Sequence, residues 1–526
     1  MEIARSPEKE TAYNGKPDQN LLAKFNTEIR SRVPHWQEGP EGTHVQNPTP
    51  LTNITSDFIE CARTEYGIEL SSKIRVFGKL DSEIYGGSVK VRPMVQIIED
   101  GIKTGSLHSG QIIFEATSGN FGLALGLLRS LGLQVITLVS RRLQEGVTEE
   151  LERQGVKTVD LDIDICPAPG LQMDQNTLVA NTIAQNVKQQ LSEYGLDTSI
   201  YDKSLPGIVH LLARQDVIGL AKHLAKIYNG FCPEQYDNEY NVIAHETITG
   251  PEIDQQLLRE GYSLADFRII TTFGTGGTST GLSKYLQKKY GKKSVHVVYP
   301  LNNQDVAGIR TKDKSLGLRF YRPKDYSGQH EVDFDAAKPL FRFFARKGYN
   351  IGESSALALY ACLQMLNFGV GESFVVVLAD GIEKYGKYLG ELAGEERRYE
   401  VSIDEARSST EQYDSILWTH TTYAPKNEGI QLIASSLGRG IDNVKVARAQ
   451  DVQTLVMTEK LPETLKTLIP DHKKILLVCM VGATSLRVAE LLSTMGIEAV
   501  SVTGGVMGFA GTNGKSPSDI VQLARE

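Results

Sequence analysis

From Asn47 onward the chain alternates short apolar runs with stretches of helical spacing, a rhythm few architectures accommodate. Ile74–Leu80 reads as a strand, and Val91–Thr104 has helical spacing. Ile112–Glu115 reads as a strand and Gly122–Leu131 as a helix, followed by strand Val135–Val139 and helix Glu149–Gln154. The texture resumes with strands at Ile269–Phe273, Val295–Tyr299 and Phe374–Ala379. Strands alternating with helices predict an α/β fold with a parallel sheet covered by helices on both faces. Such sheets bind ligands at the loops that follow the carboxyl ends of the strands.

The remaining regions depart from this rhythm. The first 45 residues are polar and carry Pro, Gly and Asn, as an arm or loop would. Residues 160 to 240 hold a Gln- and Asn-rich helical stretch, Gln172–Tyr194, and a more apolar helix, Leu211–Tyr228. A charged break at Gly394–Arg398 precedes a second α/β region from Tyr399, with strands at Ile475–Val478 and Ala499–Val502. The 526 residues amount to roughly three to four domains' worth of chain. The net charge of −8 argues against a basic nucleic-acid-binding face. No apolar run approaches the roughly 18 residues of a membrane helix, and the polar start has no signal-peptide core. Cys61, Cys166, Cys232, Cys362 and Cys479 lie far apart, with no CxxC pair, so neither a disulfide framework nor a zinc site is expected. These features suggest a cytoplasmic chain. His245, His420 and His472 are scattered and read as structural, so no metal is expected.

Three glycine-rich segments can carry chemistry. The first is Tyr85-Gly86-Gly87-Ser88-Val89-Lys90-Val91-Arg92, in which a turn and a helix start can project Lys90 into a cleft. The second is Glu115-Ala116-Thr117-Ser118-Gly119-Asn120-Phe121-Gly122, between a strand and a helix. The third, Phe273-Gly274-Thr275-Gly276-Gly277-Thr278, runs from a strand into helix Leu282–Lys289, and its N–H groups and hydroxyls suit a phosphate. It has neither the Lys of a Walker loop nor a GxGxxG pattern with its acidic partner. Taken singly, each has an ordinary reading: a solvated lysine, a capped turn, a tight loop.

In order and spacing, the three segments resemble the cysteine synthase and cystathionine β-synthase family of pyridoxal 5′-phosphate (PLP) enzymes, fold type II. Further pieces share the likeness: Thr49-Pro50-Leu51, Gly78-Lys79-Leu80, His245-Glu246-Thr247-Ile248-Thr249-Gly250-Pro251-Glu252-Ile253 and Gly352-Glu353-Ser354-Ser355-Ala356. The likeness implies a two-lobed domain with mostly parallel sheets over residues 46–395, preceded by an arm over 1–45 and enlarged by an insert at about 163–230. It implies that Lys90 holds PLP as a Schiff base and then moves a proton. Gly274, Thr275, Gly276, Gly277 and Thr278 would cradle the phosphate. Asn120 would bond the phenolic oxygen, and Ser354 would face the pyridine nitrogen. Thr117, Ser118, Gly119 and Asn120, with Gln235, would bind substrate.

The implied reaction is β-replacement or β-elimination on a serine- or cysteine-type amino acid through an aminoacrylate, with a sulfur or nitrogen nucleophile, in a homodimer. A cysteine lyase, a serine or threonine dehydratase and a non-catalytic scaffold are the alternatives. Val91 and Phe121 depart from the family pattern, as do Ser140-Arg141-Arg142-Leu143, the insert and Ala356. Phe121 is expected to narrow or reshape the substrate pocket.

Near the C-terminus, Cys479-Met480-Val481-Gly482-Ala483-Thr484-Ser485 lies between a strand and helix Leu486–Met495, and Val500-Ser501-Val502-Thr503-Gly504-Gly505 follows. This pattern resembles the rhodanese family and implies a rhodanese-like α/β domain over 399–526. Cys479 would carry a persulfide stabilised by loop amides from Met480 to Ser485. The loop lacks an arginine, and Trp418-Thr419-His420-Thr421 stands where an Asp-x-Arg is expected. A docking or inactive domain is the alternative.

Overall fold

A computed structural model describes residues 15–39, 42–117, 119–139, 147–161, 177–382, 399–408, 412–413, 415–420, 425, 427–469, 474–479 and 482–509. The expected polar arm is corrected within it. Gln19–Glu28 is a helix, capped where the Asp18 side chain accepts from the Leu21 N–H. Leu21, Phe25, Ile29 and Val33 recur every four residues and enter the core beside Val91 and Ile98. Strands β1 (His35–Gly39) and β2 (Gly42–Gln46) then pair antiparallel.

Residues 51–378 hold two sheets, in keeping with the two lobes and mostly parallel sheets that the resemblance implies. The strands are β3 (Leu51–Asn53), β4 (Arg75–Leu80), β5 (Ile112–Ala116), β6 (Gln134–Val139), β7 (Lys157–Asp160), β8 (Arg268–Thr272), β9 (Val295–Pro300), β10 (Gly328–Val332) and β11 (Ser373–Leu378). The larger sheet has the order β10-β9-β8-β11-β4-β3 and the smaller β5-β6-β7. All neighbours are parallel except β3 and β4. Every residue of β9 and β11 is buried, as expected of strands covered on both faces. Successive side chains of β11 enter different cores: Val375 and Val377 one, Phe374, Val376 and Leu378 the other.

The insert is part of a core that both sheets share. Helices Thr177–Glu193, Thr198–Ala213 and Val217–Ile227 bury Ile183, Val187, Tyr201, Ile208 and Leu220 with Phe114 and Ile136 of the small sheet. The single helix expected over Leu211–Tyr228 is broken. Gln215 takes a left-handed φ of 55°, and Asp216 caps the next helix by accepting from the Gly219 N–H at 2.8 Å. Residues 162–176 lie outside the described residues, as does the charged break at 394–398.

The C-terminal region carries β12 (Glu400–Val401), β13 (Ser415–Trp418), β14 (Val444–Val446), β15 (Ile475–Val478) and β16 (Ala499–Val502). They form an all-parallel sheet in the order β12-β16-β15-β13-β14. Ile416, Trp418, Leu476 and Val478 face one core; Leu417, Ile475 and Leu477 face the other. Among the described residues no helix is long and apolar enough to cross a membrane.

Candidate active site

Lys90 stands at the start of helix Val91–Thr104, after a turn in which Gly86 and Gly87 have φ of 99° and 73°. A Cβ on Gly86 would fall 2.7 Å from Val91 Cγ2, so the turn is closed to larger residues. Lys90 lines a cleft with Asn120, the Gly274–Thr278 loop, Gly308 and Ser354. Burial drives the Lys90 amine down to about 8; the Asp380 carboxylate opposes this shift and the Arg310 charge adds to it. Part of the lysine is then neutral near pH 7, and a neutral amine is the form that attacks a carbonyl.

The Gly274–Thr278 loop joins β8 to helix Gly277–Tyr290. Gly276 has a φ of 90°, and a Cβ on Gly274 would fall 2.7 Å from the Gly308 carbonyl oxygen and 3.5 Å from Lys90 Nζ. A Cβ on Gly277 would collide with Asn241 Oδ1. Thr278 Oγ1 lies 3.2 Å from His245 Nε2, whose Nδ1 lies 3.0 Å from Thr249 Oγ1. Burial, reinforced by the Arg92 and Lys90 charges, holds His245 neutral, with its pKa well below the ordinary value.

Asn120 begins the helix Asn120–Gly126, and its Nδ2 donates to Asp380 Oδ2 at 2.7 Å. Ser354 is buried in the first turn of helix Glu353–Asn367. The structure therefore brings together Lys90, Asn120, Gly274, Thr275, Gly276, Gly277, Thr278 and Ser354. Thr117 and Gly119 lie just before Asn120, outside the cleft's lining; Ser118 lies outside the described residues. Gln235 is buried, with Nε2 3.5 Å from the Ala116 carbonyl. Asn241 Nδ2 donates both to the Gln235 carbonyl at 2.7 Å and to Thr275 Oγ1 at 2.9 Å, tying the two segments together.

Phe121 does not narrow the pocket. Its ring is buried among Val91, Leu123, Val147 and Leu151. Successive helical residues point about 100° apart, so Asn120 can face the cleft while Phe121 faces the core. Val91 likewise packs inward beside Lys90. Asp380, Arg310 and Asn241 are site residues that sequence reasoning missed. Asp380 had one signal, an acid two residues beyond the end of the apolar strand β11.

A buried charge cluster lies behind the lysine. Arg92 bonds Asp81 at 2.7 Å and Glu252 at 2.6 Å, and Lys79 bonds Glu252 at 2.5 Å. Thr49 Oγ1 donates to Asp81 Oδ1 at 2.8 Å. Burial alone would raise the Glu252 pKa, but Arg92 and Lys79 hold it below the ordinary value.

Cys479 is buried at the end of β15, in the C-terminal region. Its Sγ accepts from the Gly482 N–H at 3.1 Å and from Ser485 Oγ at 3.4 Å. Ser485 Oγ in turn lies 2.8 Å from Ser501 Oγ. Gly482 has a φ of 91°, and a Cβ there would fall 3.0 Å from the Gly504 nitrogen. The amides of Met480 and Val481 and the side chain of His472 lie outside the described residues. His420 is buried and stacks on Trp418, with ring centroids 5.8 Å apart. Among the described residues, no group of three or more His, Cys, Asp or Glu side chains could hold a metal ion.

A family profile described as "Pyridoxal-phosphate dependent enzyme" matches residues 46–380. A cysteine synthase of Staphylococcus aureus strain Mu50 is 28% identical over 319 residues, covering 59% of this chain and 87% of the relative. A probable cysteine synthase of Bacillus subtilis strain 168 is 26% identical over 323 residues, covering 59% of this chain and 88% of the relative. The solved structure of an O-acetylserine dependent cystathionine beta-synthase from Helicobacter pylori aligns with a TM-score of 0.47 and 22% identity, over 64% of this chain and 94% of that one. The cleft fits the family's cofactor: it holds a lysine amine of lowered pKa beside a loop whose backbone admits no Cβ at Gly274 or Gly277. The match over residues 46–380, more than half the chain, and that fit lead to one conclusion: this chain belongs to the pyridoxal-phosphate dependent enzymes, and pyridoxal 5′-phosphate is its cofactor.

Proposed function

We propose that residues 46–395 catalyse β-replacement or β-elimination on a serine- or cysteine-type amino acid, in the manner of a cysteine synthase. The observation that carries this reading is the convergence of Lys90, Asn120, the Gly274–Thr278 loop and Ser354 on one cleft. Bound PLP supplies an electron sink that weakens the Cα–H bond of an attached amino acid. The Gly274–Thr278 N–H groups and hydroxyls would hold its phosphate, Asn120 its phenolic oxygen and Ser354 its ring nitrogen. A serine hydroxyl cannot keep that nitrogen protonated as a carboxylate does, so the sink is moderate and loss of a β substituent is favoured over transamination. Thr117, Ser118, Gly119 and Gln235 would receive the substrate carboxylate. Lys90 Nζ would take the Cα proton and return it.

The test is incubation of the holoenzyme with serine, O-acetylserine, O-phosphoserine, cysteine and threonine, with and without sulfide. At least one serine ester should yield a Cβ-substituted product or pyruvate, and Lys90→Ala should lower the rate by about 10³-fold or more. Turnover of none of them would contradict the reading.

We further propose that residues 399–526 form a rhodanese-like unit that carries sulfur on Cys479. The donors from Gly482 and Ser485 to Sγ support a thiolate there. In sulfur transfer from thiosulfate, the S–S bond breaks, the sulfane sulfur joins Sγ and sulfite leaves with the electron pair. Cys479→Ser should abolish transfer to cyanide; an unchanged rate would remove the role.

A further inference from the structure

We propose that Asp380 is a positioning residue of the cofactor cleft: its carboxylate fixes the Asn120 amide so that an N–H is left for the cofactor's phenolic oxygen, and it supplies the negative charge that faces Lys90. The first half rests on the role proposed above for Asn120. Asp380 follows Ala379, a lining residue just beyond β11. Three segments of the cleft meet there. Ser88, two residues before Lys90, forms an antiparallel bridge with Asp380, and the Val89 N–H donates to the Ala379 carbonyl at 2.7 Å. The Ala379 N–H donates to Ser355 Oγ at 3.1 Å, next to Ser354. Asn120 Nδ2 donates to Asp380 Oδ2 at 2.7 Å. The lysine turn, the serine helix and the asparagine helix are thus joined at Ala379 and Asp380, and Asp380 is only 1% exposed.

The chemistry of a carboxylate decides what it does at that joint. An ionised carboxylate only accepts hydrogen bonds, so the end of the Asn120 amide that it meets is the NH2 group. That group has two N–H bonds: Asp380 takes one, and the other remains to donate. A phenolic oxygen that carries negative charge is stabilised by such a donor. With a neutral amide at position 380, the Asn120 side chain is free to turn over and present its carbonyl oxygen instead. The same carboxylate acts on the lysine. The charges that bear on Lys90 are Asp380, which favours its protonated form, and Arg310, which opposes it. His245, which lies against Thr278, is neutral. Without Asp380, burial and Arg310 act unopposed, and the amine gives up its proton more readily.

The test uses the full-length chain freed of cofactor. Pyridoxine 5′-phosphate has an alcohol where the cofactor has an aldehyde, so it cannot bond Lys90 covalently but still offers the phenolic oxygen. By calorimetry, its affinity should fall roughly 10- to 100-fold in Asp380→Asn, the loss of a charge-assisted hydrogen bond. Asn120→Ala should lose a similar amount, and the double variant little more, since the two act as a unit. Asp380→Glu should recover part of the loss. Methylation of Lys90 by formaldehyde and cyanoborohydride, followed by peptide mass spectrometry against pH, should have its midpoint at about 8 in the wild type. In Asp380→Asn the midpoint should move down by about one pH unit or more, whereas Asp380→Glu should stay near the wild type. An unmoved or raised midpoint, unchanged affinity in Asp380→Asn, or additive losses in the double variant would each overturn the proposal. If Asn120→Ala alone binds like the wild type, the reading of Asn120 fails and the amide half falls with it, while the midpoint still decides the charge. Should Asp380→Asn not fold, Asp380→Ser is read in the same way.

Discussion

At the scale of single residues, Lys90 shows how position sets chemistry. A solvated lysine is protonated at neutral pH; burial brings this one to about 8, against the pull of Asp380 and with the push of Arg310. The rate at which apoprotein captures PLP, followed by absorbance, should rise with pH around a midpoint near 8; a midpoint near 10.5, the ordinary value, would contradict the assignment. The folded-state pKa lies below that of the unfolded chain, so the group costs stability below about pH 8. That cost fades as pH rises to 10.5. Lys90 was singled out in the sequence through the family resemblance; taken singly, after Gly86 and Gly87, it read as a solvated lysine. Arg310 and Asp380 were not singled out: each is one charged residue beside an apolar run, brought to the cleft by contacts far away in the chain. Phe121 was misread because a neighbour in a motif was taken to share its face.

At the scale of elements, the recognised motifs meet in the charge cluster behind the lysine. Thr49 comes from the segment before β3, Lys79 from β4, Arg92 from the lysine's own helix and Glu252 from the helix Gly250–Arg259. Two cations and two carboxylates thereby anchor that helix against the large sheet, and Arg92 lies two residues from Lys90. Removing one partner leaves an uncompensated buried charge. Glu252→Gln should cost roughly 3–5 kcal/mol, read from the shift in denaturant midpoint at constant slope; a loss under about 1 kcal/mol would show that the cluster does not hold the helix in place. The motifs were visible in the sequence, but their joining was not, since Arg92 and Glu252 lie 160 residues apart. The break at Gln215 escaped for a local reason: its left-handed backbone falls on a residue other than Gly, Asn or Asp.

At the scale of the molecule, the alternation of strands and helices was enough to predict parallel α/β architecture, and not enough to divide it into two sheets. β4 pairs with β11 across nearly 300 residues, a choice made by packing rather than by local pattern. The enlarged insert and the helix Gln19–Glu28 proved to be core-building elements, because their apolar residues needed a partner surface that no local rule supplies. The C-terminal sheet adds a cysteine-bearing loop to the chain, and the central claim remains the PLP chemistry of the Lys90 cleft. The most direct measurement is the visible spectrum of the purified holoenzyme, wild type against Lys90→Ala, followed by addition of O-phosphoserine or O-acetylserine. The wild type should carry the lysine-linked chromophore at about 410 nm and change spectrum on adding an ester, while Lys90→Ala should lack that chromophore. The same band in Lys90→Ala, or a wild-type protein that binds no PLP, would contradict the account.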